Sequence, residues 1–401
     1  MNKFWTRIFL IAAAILLLLF FSNDFGLINI QQTTVVTAIG IDRSEEEGKI
    51  DVSAQIAMPE GKKASSVLVQ GAETVGEAIA EFNAKTGWYP TLVHCKLVLI
   101  GAEATGEDVF SSLDYFLRSE FVEDSCLVAV CEKTAAETLQ ADSPIGELTS
   151  TAIAKVLSSQ AQKTGQVSVC NLRDFAKGYF SVSESGFLPL VSIKKEAEEA
   201  NSGKDSSQSG SDDQSGGSSS QSGGGGQGSS DVFDASQTVL FYRGKRTETL
   251  DADETLAFNL ADTDTDLAYG DVSVYENGNK VTYNLKIKIG KKAQKLKIED
   301  GVPVFTFQIR AKAQITDADR SADIVEIAKT AIVPEHILRA AEEKFKAELD
   351  GIMEKTRSSG CDLFRMKQKL YRSRPKDFET HKDGLLTNAH VLYDIRFDTL
   401  R

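Results

Sequence analysis

The longest apolar run of the chain comprises fourteen residues, Ile8 to Phe21, and directly follows Lys3 and Arg7. A helix that spans a bilayer needs about 20 apolar residues, whereas about 10 to 14 is typical of a signal-peptide core or a buried helix. The run has no polar face, which argues against a buried helix, and no small-residue cleavage site follows it. We therefore interpret residues 1–31 as a cytoplasmic tip and an uncleaved membrane anchor, with a cleaved signal peptide as the alternative. The preceding basic residues predict that everything after the run lies outside the cytoplasm.

Alternating apolar and polar positions after the run predict an N-terminal α/β domain over residues 32–132. Two strands begin near Thr33 and Ile50, and amphipathic helices are predicted over residues 73–85 and 107–118. The stretch LVHCKLVLIG is almost continuously apolar, which is typical of a strand covered on both faces. Its His94 is accordingly expected to be a core histidine.

Two short helices and a closing strand predict a small second domain, residues 133–193, in which the longer helix runs from Pro144 to Lys163. Residues 194–231 then consist almost wholly of Ser, Gly, Gln, Asp and Glu. Such a composition buries too little apolar area to offset chain entropy, so this segment is expected to be a disordered linker. A coil of this length spans roughly 30 Å, which would let the flanking domains reorient.

The remainder, residues 232–401, predicts a C-terminal α+β domain. Asn277-Gly278 between β-branched runs predicts a hairpin, and a long helix is expected from Pro334 to about Arg357. The last strand alternates from Val391 to Phe397. The fold class expected for the whole chain is α+β, a three-domain ectodomain of mixed sheets with packed helices. The C-terminal domain should be a largely antiparallel sheet with one long helix.

Composition narrows the function. A net charge of −13 and a pI near 5.0 argue against nucleic acid as a partner, because such binding depends on Lys and Arg neutralising phosphate. The five cysteines show no metal-binding spacing, and isolated buried thiols are favoured over one disulfide.

Motifs of catalysis are missing from the sequence: there is no HExxH, GxSxG, GxxxxGK[ST] or GxGxxG after a strand. Asp262, Asp264 and Asp266 alternate, but the glycine and the distal glutamate of an EF-hand do not follow, which favours a solvated loop over a calcium site. We therefore predict no catalytic, cofactor-binding, metal or lipidation residues and no enzyme activity. An envelope-acting glycan hydrolase stays an alternative, because the separation of two carboxylates is not visible in a sequence.

The order of several stretches resembles the C subunit of bacterial spore germinant receptors, the Ger(x)C family. These stretches are TTVVTAIGID, LVHCKLVLIGAEA followed by DYFLRSEFVEDS, TVLFYRGKR, and SSGCDLFRMKQKLYRSRPKDF. The resemblance covers nearly all of residues 32–401 apart from the linker. It implies a three-domain α+β ectodomain without known catalytic activity, on the outer side of the spore inner membrane. It also implies assembly with two polytopic membrane partners, an A and a B subunit. Family members usually carry a lipobox cysteine, and this chain has GLINIQQ in its place.

The resulting hypothesis is a non-enzymatic, membrane-tethered subunit of a germinant receptor complex that couples nutrient sensing to germination through contacts with the polytopic partners. Trp88 and Tyr89, beside Pro90, are the candidate interface residues, because exposed aromatic side chains are enriched at interfaces; packing under their own loop is the alternative. A stand-alone extracytoplasmic binding protein is the other competing function.

Overall fold

The computed structural model of the chain describes residues 3–22, 33–57, 65–143, 147–195, 231–263, 265–276, 278–319 and 332–400. The strands are β1 (Thr33–Arg43), β2 (Ile50–Ile56), β3 (Ser65–Ala72), β4 (Tyr89–Thr91), β5 (Leu97–Ile100), β6 (Leu127–Cys131), β7 (Ser185–Lys195), β8 (Asp231–Tyr242), β9 (Lys245–Leu250), β10 (Leu267–Glu276), β11 (Asn279–Glu299), β12 (Val302–Ala318) and β13 (His390–Thr399). The helices are α1 (Lys3–Ser22), α2 (Val75–Thr86), α3 (Val109–Arg118), α4 (Ala135–Gln140), α5 (Thr149–Val156), α6 (Ser159–Lys163), α7 (Leu172–Tyr179), α8 (Ala252–Asp262), α9 (Glu335–Ser359), α10 (Met366–Ser373), α11 (Pro375–His381) and α12 (Leu385–Asn388).

A large mixed sheet has the strand order β3-β2-β1-β5-β6-β7-β8-β9, and β4 pairs with the first residues of β1. Strands β1, β5, β6 and β7 run parallel to one another, and both flanks of the sheet are antiparallel. Residues of β5 alternate between the two faces: Val98 and Ile100 join the core that holds α2, α3 and α7, whereas Leu97 and Leu99 join the core that holds α4 and α5. Helices therefore cover both faces, as the continuous apolar run of β5 predicts.

A second sheet has the order β10-β11-β12-β13, antiparallel except for the parallel pair of β12 and β13. The hairpin predicted at Asn277-Gly278 is confirmed, because Glu276 pairs with Asn279 across it. Helix α9 packs on this sheet through the predicted apolar stripe, and Gly360 ends it with a φ of 73°. These elements confirm the α+β class and a largely antiparallel C-terminal sheet with one long helix.

Strands β7 and β8, which flank the predicted linker, are direct neighbours in the large sheet. They pair antiparallel from Ser185↔Tyr242 to Lys195↔Asp231. The expectation that residues 194–231 separate two bodies free to reorient is therefore not met, because the strand after this segment completes the same sheet as the strand before it. Composition shows that the segment has no core, but it does not show which strands pair across it. Residues 196–230 lie outside the described residues, so their disorder stays a prediction.

Strand β8 also joins the large sheet to the C-terminal elements. Val239 and Phe241 pack in the core of α2, α3 and α7, whereas Leu240 packs with α8 and α9. A buried polar chain adds to this contact: Thr238 donates to Ser168 Oγ at 2.8 Å, and Ser168 donates to Asn259 Oδ1 at 3.1 Å. Strand β7, which was predicted to close a separate second domain, thus belongs to the large sheet. Ser168 of the same region is hydrogen-bonded to Asn259 of α8.

The helix expected from Pro144 to Lys163 is two helices, α5 and α6, within the described residues. The Ser158 hydroxyl accepts from the Ala161 amide at 3.3 Å and so caps the start of α6. A serine whose side chain binds the backbone in this way favours a new helix start over helix continuation. Pro144 itself, and the helix start predicted at Ser321, lie outside the described residues.

Candidate functional site

The segment after α2 places two aromatic side chains at the end of the large sheet where β1 begins. Gly87 ends α2 in the left-handed conformation, and the Trp88 amide donates to Thr86 Oγ1 at 3.2 Å. Tyr89 then pairs with Thr33, the first described residue after the N-terminal segment. Trp88 and Tyr89 are 49% and 41% exposed, so about half of each residue is accessible for contact with a partner.

Val93 and His94 continue this exposed surface. Val93 is 50% exposed, and the chain turns here, with the Cys95 amide donating to the Leu92 carbonyl at 2.9 Å. The prediction of a buried strand histidine at His94 was wrong: His94 is an exposed turn residue. The apolar run was interpreted as one continuous strand, but it contains a turn followed by a strand of only four residues. We call Trp88, Tyr89 and Val93 the apolar edge.

A polar cleft of about 650 Å³ lies between α7 and α10. Two of its acidic lining residues form ion pairs: Asp174 with Lys177 at 3.0 Å, and Asp262 with Arg365. Asp362, the third acid of the lining, is 1% exposed and bound by hydrogen bonds. The carboxylates of this cleft therefore serve as structural acceptors.

Asp362 fastens the loop before α10 to the start of β7. Its carboxylate accepts from Ser183 Oγ at 2.6 Å and from the amides of Met366 and Lys367, each at 2.8 Å. Its own amide donates to Ser185 Oγ at 2.8 Å. Burial raises the pKa of Asp362, although these donors oppose the rise by stabilising the charged form. The tie to β7 could not be predicted from the sequence, because Ser183 and Ser185 stand nearly half the chain before Asp362.

Asp42 plays a similar part inside the N-terminal region. Located at the end of β1, it accepts from the amides of Ala135 and Ala136, at 2.7 and 2.9 Å, and so caps α4 from a distant strand. Burial raises its pKa. The carboxylate also fills the space beside Gly101, where an added Cβ would lie 1.9 Å from Asp42 Oδ1. The motif IGID supplied a sequence signal for this site, a lone acid that ends a buried strand.

All five cysteines are buried and free. Burial raises the pKa of Cys131 and of Cys361 to about 12. Among the described residues, no group of three or more His, Cys, Asp or Glu side chains is placed to hold a metal ion. Of the three alternating aspartates, Asp262 is ion-paired with Arg365, and Asp264 lies outside the described residues.

Helix α1 consists mainly of apolar residues, and the large apolar side chains described for it are exposed. Trp5, Phe9, Ile11 and Leu16 are between 60% and 72% exposed. In the portion of the chain that the structure describes, no helix has both the length and the apolar character needed to cross a membrane. Helix α1 thus presents exposed apolar side chains before the start of β1.

Two family models account for most of the chain. The spore germination protein N-terminal domain matches residues 27–193, and the spore germination B3/GerAC-like C-terminal domain matches residues 236–398. The chain belongs to the Ger(x)C family of spore germinant receptor C subunits. The first matched region ends within β7 and the second begins within β8, so each of the two paired strands belongs to a different region.

The other comparisons add little to this assignment. A solved structure titled "Crystal Structure of the GerBC protein" is similar at 16% identity, with a TM-score of 0.47 over 92% of this chain and 99% of that one. No curated protein matches the sequence. Ger(x)C proteins are parts of germinant receptor complexes and are not known as enzymes. The family accordingly suggests a membrane-associated ectodomain for residues after α1.

Proposed function

We propose that this Ger(x)C protein is a non-enzymatic subunit tethered to the spore inner membrane by α1, and that it couples nutrient sensing to germination by contacting two polytopic receptor subunits of the A and B type. The observation that supports the tether is the exposure of α1. Isolated exposed apolar residues are ordinary, but a helix that is apolar on every side is stable only when protein or lipid covers it.

Tethering would allow weak contacts to be enough for assembly with a membrane partner. A body held at the membrane meets a membrane partner at a high effective concentration, so modest affinity is enough for assembly. The described body has the rigidity for such a role, because β8 packs in the cores on both sides of it.

The proposal can be tested in spores from which the other nutrient receptors have been deleted. Removing this gene should abolish the release of stored ions in response to nutrients, and the full chain should restore the release. A chain in which α1 is replaced by a cleavable export signal should not restore it. Replacing α1 by an unrelated membrane-spanning helix should, since anchoring is the only task assigned to it.

Two results would contradict the proposal in different ways. A normal nutrient response after deletion of the gene would remove the receptor function. Full restoration by the released body would leave the receptor function in place but remove the tether.

A further inference from the structure

The apolar edge lies where the chain leaves α1 and enters the folded body. Tyr89 pairs with Thr33, and only residues 23–32 stand between Thr33 and the end of α1 at Ser22. Eleven Cα steps reach at most about 40 Å even when fully extended. This end of the large sheet therefore lies within about 40 Å of the end of α1.

The residue types of the apolar edge suit the boundary between lipid and water. Trp and Tyr are enriched at membrane interfaces, where an apolar ring lies beside acyl chains and its polar atom reaches the headgroups. Trp88 and Tyr89 are adjacent and half-exposed, and Val93 adds an aliphatic contact. These residues lie in a turn and a three-residue strand at the end of the sheet, a short exposed stretch that suits insertion among lipid headgroups.

Charge along the same segment is also compatible with a membrane surface. The chain carries 58 Asp and Glu residues, yet none occurs between Glu81 and Glu103. Exposed Lys96 and His94 lie beside Val93 instead. An anionic headgroup layer repels acidic side chains, so a segment without acids approaches it at lower cost. The loop before β6, at the same end of the sheet, does carry Glu120, Glu123 and Asp124, and Asp124 is ion-paired with Arg173.

We propose that the apolar edge inserts into the headgroup layer of the bilayer that holds α1, so that the body lies against the membrane by the end of its large sheet where β1 begins. The inference rests on the tether of the proposed function and adds an orientation to it. The opposite ends of the parallel strands would then face away from the bilayer.

Tryptophan fluorescence of the full chain tests this orientation, because the sequence contains only Trp5 and Trp88. Trp5→Phe leaves Trp88 as the reporter, and Trp88→Phe leaves Trp5. Each variant is reconstituted into vesicles of phosphatidylcholine and phosphatidylglycerol whose acyl chains carry bromine near the headgroups or near the bilayer centre. We expect emission from Trp88 to shift to shorter wavelength in vesicles and to be quenched more by the shallow bromines than by the deep ones.

A third variant provides the matched control. Tyr275 lies in β10 of the second sheet and is 80% exposed. The triple variant Trp5→Phe, Trp88→Phe, Tyr275→Trp places the only tryptophan at this exposed position. Its emission should not change on reconstitution and should not be quenched by either lipid.

The reporters separate failure of the orientation from failure of the tether. Quenching of Trp5 without quenching of Trp88 would overturn the orientation and leave the tether standing. If Trp5 is not quenched, the tether fails, whatever Trp88 shows. A shift of Trp88 emission to shorter wavelength that occurs only when the polytopic subunits are reconstituted together with the chain would also overturn the proposal. The apolar edge would then be a protein interface.

Discussion

Ser183 Oγ donates a 2.6 Å hydrogen bond to the carboxylate of Asp362, across 179 positions of sequence. Ser183 lies in the N-terminal family region, and Asp362 lies in the C-terminal one. Both side chains are almost completely buried. The contact thus fastens the two regions at a buried site, where a polar group left without a partner is costly.

Replacing Asp362 by alanine should lower the free energy of unfolding by about 2–4 kcal/mol, because it leaves Ser183 Oγ and the amides of Met366 and Lys367 without their acceptor. Urea unfolding of the full chain in detergent micelles measures this loss. Asp362→Asn should cost less, since an amide oxygen still accepts. Asp383→Ala, at an exposed acid, is the control and should change stability by less than about 0.5 kcal/mol. Equal losses of unfolding free energy for Asp362→Ala and Asp383→Ala would show that Asp362 does not hold the two regions together.

Shortening the segment between β7 and β8 should stabilise the body. Lys195 and Asp231 are already paired, so a four-residue turn can replace residues 196–230. Closing a loop costs about 0.6 kcal/mol for each doubling of its length, and three halvings therefore predict a gain of up to about 2 kcal/mol. Urea unfolding measures the gain.

A scrambled segment of unchanged length and composition is the control for that variant and should match the wild-type stability. Loss of folding in the shortened chain would show that strands β7 and β8 need the intervening segment as a spacer between separate bodies, which is the arrangement that composition alone suggested.

Acidic pH should weaken the attachment of β13. The Arg310 guanidinium, at 2.7 Å, and the Gln308 amide hold the pKa of Asp394 below its ordinary value of 3.8. A carboxyl whose pKa is lower in the folded state contributes stability above its ordinary pKa and loses it as the pH falls through the folded value. The difference in urea midpoint between wild type and Asp394→Asn should therefore shrink below about pH 4.

In an Arg310→Gln background the effect of Asp394→Asn should depend much less on pH, because the guanidinium is gone. A wild-type difference that stays constant from neutral to strongly acidic pH would contradict the role given to this pair.

Native thiol labelling should be slow at all five cysteines. Burial excludes the reagent, and a pKa of about 12 leaves roughly one thiolate in ten thousand at pH 8 for Cys131 and Cys361. The chain should gain five labels in denaturant and none in its native state within minutes. Tyr275→Cys, at a well-exposed position, should gain one label at once. Rapid native labelling of an original cysteine would show that its core opens.

Local pattern predicted the elements whose folding is decided by their own residues. The stripe of α9 from Ile337 to Met353 and the hairpin beside Gly278 came directly from periodicity and turn chemistry. Contacts between distant segments could not be predicted from local pattern. Neither the pairing of β7 with β8 nor the hydrogen bond from Ser183 to Asp362 has a local signature. His94 was misplaced because a turn inside an apolar run cannot be distinguished from a strand by hydrophobicity alone.

Recovery of the polytopic subunits together with this chain would show whether it acts by contact with them at a membrane. A tagged full chain, expressed at its natural level, is cross-linked in membranes of dormant spores, solubilised, purified and analysed by mass spectrometry. The account predicts that two multi-span membrane proteins are recovered with it in comparable amounts, and that both are lost when α1 is replaced by a cleavable signal. Recovery of the chain alone from intact membranes would contradict it.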